Sequence, residues 1–382
     1  MDRLLHRRTF LSALATASAA ALWPDALGGV LAAAPAPRWP GYREATVIDS
    51  LGGPGIYGEE DLAPLTAAAL SDVRASGLTA VNLTVSAVGS YSLDFDRTIK
   101  NIAHWNSQIA AHPDFLLQVR RAADIAEAKR TRRLGLIYGF QDATPLGEDL
   151  ERIETFWNLG VRIFQLTYNR RNLVGEGCLE SANAGLSDFG RKFIARLNAR
   201  RALVDLSHAG ERTTVEAIAA SQQPVAISHT GCAALSPNPR NKTDQELRTL
   251  AEKGGYVGIY LMPFLRSQGQ PMAEDVLRHI EHAVDVCGED HVGIGSDGTI
   301  SPVDVTPEFK KKFAEEVNER HKLGISAPGE DANVYTFVPD LNVADRFHRV
   351  AELLSGHKYS DARIGKILGG NFARLLREVW GS

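Results

Sequence analysis

Ala202-Leu203-Val204-Asp205-Leu206-Ser207-His208 is an aliphatic run that closes on Ser-His, and Pro224-Val225-Ala226-Ile227-Ser228-His229 repeats it after an intervening stretch, Glu211–Ser221, with helical apolar spacing. A strand, a helix and a second strand in this order make a parallel βαβ unit, because parallel neighbours need a crossover connection. Both runs end on a polar residue of the same kind, so their tips fall at one level. Working outward, the same alternation fills the chain. Strands are expected at Ala45–Ser50, Leu78–Ser86, Leu134–Gln141, Val161–Tyr168, Ala202–His208, Pro224–His229, Tyr256–Met262 and His291–Asp297. Helices are expected at Leu62–Ala75, Asp94–Ala111, Ala122–Arg133, Asp149–Leu159, Ser187–Arg200, Glu211–Ser221, Asp244–Lys253 and Ala273–Val286, with Val343–Leu354 and Asp361–Val379 closing the chain.

Eight such units predict a closed (β/α)8 TIM barrel of the α/β class. An open doubly wound sheet is the alternative. It is disfavoured because Gly52-Gly53-Pro54-Gly55, after the first strand, carries a proline and leads into no immediate helix, unlike a phosphate-cradling loop. Gly298–Leu341 breaks the rhythm with one charged helix, Pro307–His321, and a Gly/Pro/Asn-rich loop. It reads as an insertion after strand 8, placed over the mouth of the barrel.

The 382 residues are 44% hydrophobic and 23% charged, an ordinary globular balance, and the net charge of -4 gives no basis for a nucleic-acid partner or an anionic membrane surface. Cys178, Cys232 and Cys287 are too scattered for a disulfide framework and read as small buried residues. Arg7-Arg8-Thr9-Phe10-Leu11 precedes a mildly apolar, Ala-rich run to Leu22, and small residues follow at Ala32-Ala33-Ala34. This is the pattern of a Tat export signal over residues 1–36, implying a periplasmic or secreted protein. An amphipathic helix or a membrane anchor fits less well, because the run falls short of the ~20 apolar residues a span needs. Residues 41–382 are then a single barrel domain, with no membrane span once the signal is removed.

In such a barrel, chemistry sits at the C-terminal ends of the strands. Strand 5 ends in His208, strand 6 in His229 and strand 8 in Gly295-Ser296-Asp297. Neighbouring histidines can share a metal ion, and a carboxylate beside them can deprotonate water. Singly, each has a structural reading: a hydrogen-bonded strand-end histidine, or a turn residue before Gly298.

With Gly185-Leu186-Ser187-Asp188-Phe189-Gly190, Arg240-Asn241 and Asp290-His291-Val292-Gly293-Ile294-Gly295-Ser296-Asp297, these motifs resemble the membrane (renal) dipeptidase family of zinc metallopeptidases from about residue 45 to 380. The resemblance implies a (β/α)8 barrel, often homodimeric, that cleaves dipeptides at two zinc ions bridged by a glutamate. It assigns His208 and His229 to the second zinc, Arg240 to the substrate carboxylate and Asp297 to catalysis.

Three positions depart from that pattern. Leu51 and Gly53 stand where the family has a zinc-binding His-x-Asp pair. Gln141, in Phe140-Gln141-Asp142-Ala143, replaces the bridging glutamate, and Asp142 falls on the opposite strand face. Tyr168 replaces a substrate-contacting histidine and keeps only a hydrogen-bonding hydroxyl. Without the carboxylates, repulsion between two dications is poorly offset. The expectation is therefore one zinc ion, or none, at His208 and His229, with Asp297 or water completing the shell. Asp49, Asp142, Glu176 and Glu180 are the nearby carboxylates that could stand in for a lost ligand. Two functions compete: a one-metal hydrolase of a dipeptide or other small-molecule amide, and a non-peptidase barrel (pseudoenzyme, binding protein, or lyase- or epimerase-type enzyme).

Overall fold

The computed structural model describes residues 39–55, 62–88, 95–322, 324 and 326–381. Contacts divide the chain into Met1–Ala36 and Pro37–Ser382. The first unit, and with it the export-signal reading, lies outside the described residues.

Eight parallel strands follow one another around the ring: β1 Ile48–Asp49, β2 Ala80–Thr84, β3 Leu134–Phe140, β4 Val161–Gln165, β5 Leu203–Asp205, β6 Ala226–Thr230, β7 Tyr256–Ile259 and β8 Val292–Ile294. Each is an aliphatic run buried on both faces, because the barrel interior lies on one side and helices on the other. The ring closes without a full ladder. Ser50 N–H donates to the Ile294 carbonyl at 3.0 Å, and Gly52–Gly53 runs parallel to Gly298–Thr299 just beyond. A further short strand, Leu116–Gln118, pairs with the first half of β3 and was not foreseen from the sequence.

The helices α1 Ala67–Ser76, α2 Phe95–Ala111, α3 Ala122–Thr131, α4 Arg152–Asn158, α5 Asp188–Arg200, α6 Glu211–Ala220, α7 Asp244–Glu252 and α8 Ala273–Cys287 surround the ring, and α9 Pro307–Lys322 lies in the insertion. Ends follow local chemistry. The first helix starts later than expected because Pro64 disfavours the helical region at Ala63, and Thr66 then caps it by accepting from Ala69 N. Thr243 and Glu246 form a capping box on α7.

After α10 Arg346–Gly356, the last helical stretch is broken rather than continuous. α11 Asp361–Gly365 and α12 Asn371–Trp380 flank a wide turn, Lys366–Gly370. A Cβ on Gly369 would lie 2.5 Å from Ile48 N, so the chain approaches the start of β1 where no side chain fits. α12 then packs Phe372, Leu375, Leu376 and Val379 against Ile48, Ile137, Ile163 and Leu203 in a buried cluster, with Phe372 on Tyr256 at 4.8 Å. This plug seals one end of the barrel and leaves the strand C-termini as its open end. No described helix is long and apolar enough to cross a membrane.

Candidate active site

His208 and His229 arrive from β5 and β6 with their Nε2 atoms 2.9 Å apart. Arg240 Nη2 lies 3.1 Å from His208 Nε2. A guanidinium only donates, so His208 Nε2 is the acceptor and its proton sits on Nδ1, 2.6 Å from Asn169 Oδ1. His229 Nδ1 rests 2.9 Å from Ser228 Oγ, and Gln141 Nε2 lies 3.4 Å from His229 Nε2. Both imidazoles are held neutral, pushed well below the usual histidine range first by burial and then by the Arg240 charge. A third cation, Lys242, is buried behind them with Glu246 at 3.2 Å and Thr214 Oγ1 at 2.8 Å.

The backbones that present these side chains are clamped by two carboxylates in the same way. Asp205 Oδ1 accepts from Ser207 N at 3.1 Å and Ser228 N at 3.0 Å, and its Oδ2 accepts from Ser228 Oγ at 2.5 Å. Asp49 Oδ1 accepts from Leu51 N at 3.2 Å and Ser296 N at 2.7 Å, and its Oδ2 accepts from Ser296 Oγ at 2.5 Å. The residue after each clamped serine, His229 or Asp297, carries the site chemistry.

Asp297 has a left-handed backbone, φ +56°, which aspartate adopts more readily than most residues. Its N–H donates to the Leu51 carbonyl at 2.8 Å, so position 51 contributes main chain rather than a ligand. Burial pushes the Asp297 carboxyl up to about 6, while Arg240, a Gln141 hydrogen bond and Arg320 pull it back. A Cβ on Gly53 would stand 2.8 Å from Leu83 Cδ1, so that position is packed as a glycine.

Tyr168 stacks on His208, with ring centroids 4.2 Å apart and planes 25° apart. Burial raises its phenol further, keeping it a neutral donor. Arg240, 2% exposed, also donates to the Ser207 carbonyl at 2.8 Å.

Tyr168, His208, Arg240 and Asp297 share the lining of one cavity of about 220 Å³ with Phe313, Val317, Arg320, Glu330, Phe337 and Val338 of the insertion. That is below the ~300–1,000 Å³ of drug-sized pockets and suits a small substrate. Sequence reasoning missed Asn169, Arg320 and Glu330. Asn169 adjoins Tyr168 and was within reach of a strand-end search, whereas the other two lie on an insertion with no motif.

The four alternative carboxylates are occupied elsewhere. Asp49 bonds across the seam as above. Asp142 accepts from Thr144 N at 3.0 Å and Asn172 Nδ2 at 2.9 Å. Glu176 pairs with Arg171, and Glu180 accepts from Arg171 N at 2.9 Å. Among the described residues no three His, Cys, Asp or Glu side chains gather closely enough to hold a metal. The donors that do converge are two neutral imidazoles, with the Gln141 amide and the Asp297 carboxylate beside them. That set fits one weakly held ion completed by solvent, and does not fit a pair of ions.

The family model for membrane dipeptidase, peptidase family M19, matches residues 65–309. The chain belongs to the membrane dipeptidase family. An amidohydrolase of Pseudomonas aeruginosa is 33% identical, with a TM-score of 0.75 over 89% of this chain and 98% of that one. An uncharacterised protein in the pqqA 5′ region of Klebsiella pneumoniae is 27% identical over 72% of this chain and 93% of its own length. Dipeptidase verJ of Clonostachys rogersoniana is 30% identical over 52% of each chain. A Rhodobacter sphaeroides metallopeptidase, solved with a phosphinate mimic of L-Ala-D-Ala, superposes at a TM-score of 0.70 and 20% identity over 88% of this chain and 99% of that one, which bears on the fold alone. The membrane dipeptidase family is one of metal-dependent peptidases, so the donor set at His208 and His229 is the part of its chemistry that this chain retains.

Proposed function

We propose that this protein is an exported membrane-dipeptidase-family hydrolase that cleaves a dipeptide or related small amide at a single divalent ion held by His208 and His229. The observation that carries the reading is the 2.9 Å approach of the two Nε2 atoms, each ring being neutral as metal binding requires. A zinc ion bound there supplies Lewis acidity toward an amide carbonyl. Asp297 takes the proton of the attacking water and returns it to the departing amine. Tyr168 donates its hydroxyl proton to the carbonyl oxygen as negative charge develops there. Asn169 fixes the ring of His208 through Nδ1, the outer-shell role that orients a ligand. The substrate is small because the cavity is.

The test is metal content after reconstitution with zinc. One ion per chain is expected, lost together with peptidase activity in His208→Ala. No bound ion sinks the reading, and two tightly bound ions sink the assignment of Leu51, Gly53 and Gln141 as non-ligating. Export is tested by fractionating cells that make the chain with Arg7 and Arg8 changed to lysine, which should retain it in the cytoplasm.

A second reading, a barrel without peptidase activity, is favoured by the Arg240 guanidinium 3.1 Å from His208 Nε2, a positive charge beside the seat an ion would take. Failure of zinc to bind would select it.

A further inference from the structure

The cavity holds three arginines, and they differ in which edge of the guanidinium is spent. Arg240 uses its end-on edge, Nη1 on the Ser207 carbonyl at 2.8 Å and Nη2 on His208 Nε2 at 3.1 Å. Arg346, 8% exposed, donates Nε to the Val343 carbonyl at 3.0 Å and Nη2 to the Ile300 carbonyl at 3.1 Å, pinned against main chain. Arg320 is held differently. Glu330 takes its side edge, Oε2 accepting from Nε at 2.7 Å and Oε1 from Nη2 at 2.9 Å. Glu330 is itself fixed by Ala327 N at 2.9 Å on Oε1, and its carbonyl lies 2.9 Å from His321 Nε2. The guanidinium is thus pre-oriented at little further entropy cost, with its Nη1/Nη2 end facing the cavity and a bond to the Tyr168 hydroxyl. Its charge is felt at His208, Tyr168 and Asp297 alike, which places it over the floor of the site.

We propose that Arg320, delivered by the insertion and braced by Glu330, is the bidentate anchor for a substrate carboxylate, so that the protein selects small amides bearing a free carboxylate beside an apolar side chain. An arginine end-on edge matches both oxygens of a carboxylate. The Tyr168 hydroxyl lies next to it as a further donor, and Arg240 adds positive charge from below. Phe313, Val317, Phe337 and Val338 of the same insertion wall the cavity with apolar surface, where the side chain next to that carboxylate sits. The inference rests on the hydrolase reading for the identity of the amide, but not for the anchor itself.

The experiment uses the protein as purified and a probe that cannot be cleaved: the phosphinate mimic of L-Ala-D-Ala, and the same compound with its carboxylate converted to the primary amide. Calorimetric titration of the wild type should give at least tenfold tighter binding of the acid. In Arg320→Gln that preference should collapse to within about twofold, with amide affinity unchanged, which also shows that the variant is folded. Arg320→Lys should restore part of it, and Glu330→Gln should weaken acid binding selectively by freeing the guanidinium. A preference that survives Arg320→Gln, no preference in the wild type, or no binding of either compound overturns the anchor. Because hydrolysis is not measured, an inactive or metal-free protein that still shows the preference would defeat the dipeptidase reading and leave the anchor standing.

Discussion

Asp49→Asn should remove a pH-dependent weakness from the barrel seam. Asp49 is 2% exposed. Burial pushes its carboxyl up to about 7, and the hydrogen bonds from Ser296 and Leu51 and the charge of Arg346 offset only part of that. The folded state therefore holds this proton more tightly than the unfolded chain, whose carboxyl ionises near ~3.9. Below about pH 4 the group is protonated in both states and costs nothing. As pH rises from ~4 through ~7, stability falls, and above ~7 the whole ionisation cost is present. Raising a carboxyl from ~3.9 to about 7 corresponds to on the order of 4 kcal/mol. An asparagine keeps the Oδ1 acceptor for both backbone N–H groups and is uncharged throughout. Its stability relative to the wild type should thus rise by ~3–4 kcal/mol between pH 4.5 and pH 8. Urea unfolding of both proteins across that range measures the difference, and subtracting them cancels every other titrating group. A difference that stays constant within ~1 kcal/mol would show that three hydrogen bonds fully stabilise the buried charge, and would refute the reasoning.

Removing the proposed base with Asp297→Asn should lower kcat/KM by ~10²–10⁴-fold with little loss of stability, read in a peptidase assay on zinc-loaded protein. Gln141→Glu places a carboxylate 3.4 Å or less from His229 Nε2 and should tighten zinc by at least ~10-fold in a chelator competition, in line with what ligand-sphere changes cost elsewhere. Phe372→Ala empties the fully buried plug beneath the barrel and should cost ~3–5 kcal/mol in denaturant unfolding, without changing metal stoichiometry.

The ring of strands was legible because its signal is local. A strand buried on both faces must be apolar along its length, and a parallel neighbour must be reached through a helix, so the alternation of Ala202–His208, Glu211–Ser221 and Pro224–His229 is written in residue types alone. The insertion helix was legible too, expected at Pro307–His321 and observed at Pro307–Lys322. The break at Lys366–Gly370 was not, because Gly369 is required by the approach of β1, which lies more than three hundred residues earlier in the chain.

At the site, the sequence by itself named His208, His229, Arg240, Tyr168 and Asp297, since strand ends point to one mouth and these residue types carry metal or proton chemistry. It also showed that Leu51, Gly53 and Gln141 lack ligating carboxylates. Only the tertiary structure decided how those groups are spent. Arg240 uses its fork on Ser207 and His208, Leu51 contributes a carbonyl to Asp297, and Arg320 and Glu330 reach the cavity from an insertion with no periodic signature. Hydrogen-bond geometry depends on which edges of distant residues meet, and distances between elements far apart in the chain are fixed by packing, not by any local pattern of residues.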